Sequence, residues 1–280
     1  MYHYGRTSPP VSPSGSRPLS PDVLVTPGGA NSAHHQSMSA ARSTASAKRQ
    51  KYFRRLFKIR QMDFEYAFWQ MLYLFVSPQK VYRNFQYRKC TKDQFARDDP
   101  AFLVVLSFWL FVSSIGFAVV LRLSFAGFAK FLAWVIFVDC IGVGLLVATA
   151  LWFVSNKYMI QSRGVGTTAV DDVEWGYAFD VHLNAFFPLL MILHFFQLPI
   201  LAHVVNHDWF VGCLVGNTLW LVAVCYYIYI TFLGYSALSF LKRTQIFLYP
   251  MTGMFLVYIL SLVFNWNFSM GLCYFYHWRI

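Results

Sequence analysis

Five carboxylate, imidazole or carboxamide side chains lie inside long apolar runs: Asp139, His194, Gln197, His203 and Asn217. A carboxylate and imidazoles at membrane depth are the groups from which proton and ion relays are built. The same groups also hydrogen-bond one helix to another and fix packing. A charged Asp139 would cost at least ~2.5–3.5 kcal/mol on insertion scales, so it is expected to face other helices or to carry a proton. Interhelical bonding is the favoured reading; a small proton or ion transporter using Asp139 and His194 is the alternative. A carrier would ordinarily bring more charge, inverted repeats or paired broken helices. The sequence has no internal repeat, although Pro188 and Pro199 bracket His194 and Gln197.

The second chemical feature is cationic. Lys48, Arg49, Lys51, Arg54, Arg55, Lys58 and Arg60 alternate with Phe53, Leu56, Phe57 and Ile59. On a helix the apolar four fall largely to one side, which suits a membrane surface of anionic lipid. The same cations could meet the phosphates of RNA, with Tyr52, Phe53 and Phe57 stacking on bases. Nothing suggests an enzyme, a cofactor or a metal: no Walker loop, HExxH, GxSxG or ligand-spaced His/acid cluster occurs. The five cysteines, Cys90, Cys140, Cys213, Cys225 and Cys273, have no CxxC spacing and read as small buried hydrophobes.

These groups must be positioned by elements that composition already restricts. The chain is 57% hydrophobic and only 12% charged, roughly half the charge of a soluble domain. The fold class expected is an all-α polytopic membrane protein. Residues 1–47, with ten serines and six prolines, read as a disordered tail. Residues 48–99 form a basic amphipathic juxtamembrane region. Within it, 64–76 is apolar but short of the ~20 residues a span needs, and Ser77-Pro78 stops it. That stretch reads as an interfacial or buried helix, with a sixth span as the alternative. The membrane domain, 101–264, carries five runs at 101–121, 131–154, 185–205, 210–233 and 246–264, followed by a short tail, 265–280. No leader precedes the first apolar run, so insertion is expected to use an internal span.

Lys and Arg set the expected orientation. The side bearing 42–97 and the loops 155–184 and 234–245 carries 18 of them, against Arg122, Lys130 and Arg279 on the other. The positive-inside rule therefore predicts a cytosolic N-terminus and a lumenal C-terminus. Asn267-Phe268-Ser269 is a glycosylation sequon on the lumenal side, expected to lie too near the membrane for modification.

Four segments carry a family resemblance: 62–67 (MDFEYA), 78–82 (PQKVY), 97–102 (RDDPAF) and 174–188 (EWGYAFDVHLNAFFP). The last holds Glu174, Trp175, Tyr177, Asp180, His182, Asn184 and Pro188 as its signature. Together they resemble the uncoordinated-like (UNCL) family, the uncoordinated-fifty Golgi membrane proteins, over roughly 50–280. The resemblance implies a non-enzymatic protein of Golgi and early secretory membranes, the endoplasmic reticulum included. It implies a role in delivering nicotinic acetylcholine receptors to the cell surface, with receptor subunits as cargo. It also implies an Arf guanine-nucleotide exchange factor as partner, beside membrane lipids. RNA binding and an inner nuclear membrane location are attributed to vertebrate members.

Overall fold

The computed structural model describes residues 58–84, 96, 97, 99–160, 172–200 and 210–279. All lie in one compact unit, 51–280. Helices dominate, and among the described residues the only extended pairing is a single bridge between Ile160 and Leu241. Five helices are long and apolar enough to cross a membrane. The tail 1–47, Lys48, Arg49, Lys51, Arg54, Arg55, Cys90 and His203 fall outside the described residues.

Helix α1, Phe64–Val76, starts where the Asp63 carboxylate accepts from the Tyr66 amide at 2.9 Å, satisfying an orphan first-turn donor. It stops at Ser77 because Pro78 disfavours helical geometry in the residue before it. A further helical piece follows at 78–84. α1 buries Ala67, Gln70, Met71 and Leu74. The Tyr226 hydroxyl donates to the Leu74 carbonyl at 2.7 Å, tying α1 to a spanning helix.

The spanning helices are α2 (Ala101–Val120), α3 (Phe125–Met159), α4 (Trp175–Ile200), α5 (Phe210–Ser236) and α6 (Thr244–Val263). Four outrun the apolar runs that announce them. α3 begins six residues before 131 because Ser124 caps it, its hydroxyl accepting from the Gly127 amide at 3.1 Å. Lys130 breaks the hydropathy but not the helix. At 35 residues, α3 is about 52 Å long, well beyond ~30 Å of hydrocarbon. α4 begins ten residues before 185, since Asp180, His182 and Asn184 are buried against protein rather than lipid. π-helical stretches interrupt α3 at Val135–Gly142 and α4 at Met191–Phe196, the latter just after Pro188. Such bulges recur at functional positions.

α4 is the central helix, packed on both α3 and α5. Close approach depends on two glycines. A Cβ on Gly144 would lie 2.5 Å from the His182 ring, and one on Gly234 would lie 2.8 Å from Val181. Gly144 and Ala148 thus bring α3 against α4 within one chain. α6 is largely exposed, with Leu256, Val263 and Phe255 open to the surroundings, as a helix facing lipid should be.

The C-terminal segment carries a helix of its own: Phe268–Arg279 forms α7, which folds back onto the bundle. Asn267 of the sequon is buried, and its carboxamide oxygen accepts from the Ser269 and Met270 amides as a helix cap. That role leaves no room for a sugar.

Candidate functional site

The four motif segments, far apart in sequence, meet at one end of the bundle. The Asp99 carboxylate accepts from the Asp63 amide at 2.8 Å and from the Ala101 amide at 3.0 Å, joining the entry to α1 with the entry to α2. Glu174 accepts from the Ala96 amide at 3.3 Å, and Asp180 from the Arg97 amide at 2.6 Å. The Arg97 guanidinium donates to the side-chain oxygen of Asn184 and lies 4.0 Å from the centre of the Phe102 ring. Asn184 donates in turn to the Tyr82 hydroxyl at 3.4 Å. The Tyr177 hydroxyl donates to the Gly234 carbonyl at 2.6 Å, and the Trp175 indole to Thr149 at 3.1 Å.

Arg97, Asp180, Asn184, Tyr82 and Tyr177 are all buried. Removal from water pushes the Tyr82 phenol well above its usual range, against the opposing pull of Asn184 and Arg97, so it stays neutral. Chemically, this is a brace. Glu174, just before α4, and Asp180 and Asn184 within it accept the main-chain and guanidinium donors of Ala96 and Arg97, and so fix the route by which the pre-membrane segment enters the bundle. Of the basic stretch, Lys58 and Arg60 are described, and both are exposed at the start of this braced segment. Pro188 is buried within α4 below the brace.

The intramembrane polar residues divide between two places. Asn217 is a structural hub. It donates to Ser261 at 2.8 Å and to the Trp266 carbonyl at 2.7 Å, and accepts from the Phe268 amide at 3.0 Å, holding the α6–α7 turn against α5. Asp139, His194 and Gln197 instead line a half-enclosed cavity of about 410 Å³. Its walls come from α2, α3, α4, α5 and α7. The Tyr276 hydroxyl of α7 donates to the Asp139 carboxylate at 2.7 Å. His194 shares a hydrogen bond with Ser113 at 3.1 Å, and Gln197 donates to Ser269. His182 joins the signature to this cavity, with one ring nitrogen 2.8 Å from the Tyr227 hydroxyl and the other 3.3 Å from the Cys140 carbonyl. Most of the remaining lining is Val, Leu and Phe.

Sequence reasoning missed Arg97, Tyr82, Tyr227 and Tyr276 as partners. The α7 face was readable: Ser269, Leu272, Cys273 and Tyr276 follow the i, i+3, i+4, i+7 spacing, and all four line the cavity. Among the described residues no group of three or more His, Cys, Asp or Glu could hold a metal. Cys140, Cys213, Cys225 and Cys273 are free thiols.

Comparison with known proteins agrees with the motif geometry. The UNC-50 family model matches residues 52–277. The chain is 61% identical over 260 residues to protein unc-50 homolog B of Xenopus laevis, covering 93% of this chain and 99% of that one. It is 65% identical over 246 residues to the human protein unc-50 homolog, covering 87% and 93%. Against protein unc-50 of Caenorhabditis elegans it is 52% identical over 242 residues, covering 86% and 78%. No solved structure matches it. A match that spans α1 to α7 and takes in every residue of the brace means that the chain belongs to the UNC-50 family.

Proposed function

We propose that this protein is a non-enzymatic factor of Golgi and early secretory membranes that promotes surface delivery of nicotinic acetylcholine receptors. It does so by holding an Arf guanine-nucleotide exchange factor at the membrane. Family membership motivates the reading. The observation that carries it is the brace: Asp63, just after the basic stretch, donates its amide to Asp99, beside the residues 96 and 97 that α4 and Glu174 hold at the end of the bundle. A cytosolic partner docking on that stretch would be held at a fixed place against the membrane. On the positive-inside count, that end faces the cytosol. The cations of that stretch would meet an acidic partner and anionic lipid together.

The test is surface against total receptor in muscle cells that lack the protein. Cells are rescued with the full chain or with 48–62 deleted. Full-length rescue with failure of the deletion supports the proposal. Unchanged surface receptor on loss of the protein would remove it.

A further inference from the structure

The half-enclosed cavity between α3, α4, α5 and α7 has a lining that specifies a ligand. Its volume is about 410 Å³. An apolar cavity of about 150 Å³ in another protein takes one benzene, six carbons. By simple proportion this one takes about sixteen carbons: one long acyl or alkyl chain, and not two. Most of the wall is hydrocarbon, from Val135, Val143, Leu189, Leu193 and Val224. A void of that kind beside lipid is suited to a lipid chain, since an apolar cavity gains little from water.

One wall departs from this. Asp139 lies in the π-helical stretch of α3 and opens on the cavity. Its carboxylate accepts from Tyr276, the Trp134 indole lies beside it, and among the described residues no basic side chain is paired with it. Acidic residues at membrane depth ordinarily pair with a cation. His194, on α4, also faces the cavity. One ring nitrogen is engaged by Ser113, and the other has no hydrogen-bond partner among the described residues. A carboxylate without a cation, a spare imidazole nitrogen and room for one chain are complementary to a single molecule type.

We propose that the cavity binds a single-chain lipid amine, its protonated amino group paired with Asp139 and its chain of about sixteen carbons filling the apolar space. α7 closes over the ligand through Tyr276, so binding would tie the C-terminal helix to the bundle. The proposal is independent of receptor trafficking and of the brace.

The test uses the purified full-length protein in detergent, labelled with a hexadecylamine that carries a photoreactive diazirine on its chain. Labelling should saturate and map to peptides containing Val143, Leu189 or Leu272. Hexadecylamine should compete at least tenfold better than hexadecanol, and palmitate least well. Asp139→Asn should bring amine and alcohol to equal strength. Val224→Phe, which fills the space, should abolish labelling while the unfolding temperature stays unchanged. Four results would overturn the proposal. They are no saturable labelling of the cavity, equal competition by amine, alcohol and acid, an amine preference that survives Asp139→Asn, or equal competition by a two-chain aminophospholipid.

Discussion

The brace and the cavity use the same residue types to opposite ends. At the brace, Asp99, Glu174, Asp180, Asn184 and Tyr82 each have a partner on the page, and the donors they satisfy are mostly main-chain amides. In the cavity, Asp139 meets the Tyr276 hydroxyl with the Trp134 indole beside it, His194 keeps a nitrogen to spare, and most of the lining is apolar. A densely connected buried network rigidifies, and one with few bonds stays open to whatever else could complete it. The signature residues therefore mark where the protein is built, and the lone polar groups mark where it is open. His182 belongs to both, with Tyr227 and Cys140 as partners and the cavity at its side.

This contrast can be broken by substitution. The largest effect is expected from Asn184→Ala, which removes the acceptor of a buried guanidinium and the donor to Tyr82. It should cost about 3 kcal/mol, read as a fall in the unfolding midpoint of detergent-purified protein. Gly234→Ala should cost about 2 kcal/mol, because its Cβ would press on Val181 at 2.8 Å, inside a well-packed core. Asn217→Ala should cost about 1.5 kcal/mol and should expose the α6–α7 turn to protease before the rest of the chain unfolds. Smallest is Asp139→Asn, within about 0.5 kcal/mol, since Tyr276 can still donate to an amide oxygen. If Asp139→Asn proved as damaging as Asn184→Ala, the distinction between brace and cavity would collapse.

Much of this architecture was legible from the residues, and the failures share a cause. Five apolar runs, with Asp139 alone charged among them, led directly to five spanning helices. Helix ends were harder, because hydropathy records the solvent of a side chain and not its partner. Asp180 and Asn184 look like the end of a span, yet Arg97 takes both of them inside. Ser124 starts α3 through a cap, a local hydrogen bond that an average over many residues cannot register. α7 was overlooked for a similar reason: Ser269, Tyr274, Tyr276, His277 and Arg279 make it polar, while only one of its faces touches the bundle. Interhelical bonding, the favoured reading of the intramembrane polar residues, describes Asn217 well. It is incomplete for Asp139 and His194, whose shared cavity arises from helices that sequence order does not bring together.

The central claim is that the basic segment leading into the brace is where a cytosolic partner is held. It is tested most directly by the Golgi-membrane level of the Arf exchange factor in cells lacking this protein. Those cells are rescued with the wild-type chain or with Lys51, Arg54, Arg55 and Lys58 all changed to Glu. The account predicts that wild type restores the exchange factor, whereas the charge-reversed chain, equally stable and reaching the same membranes, does not. Equal restoration by both chains would contradict it.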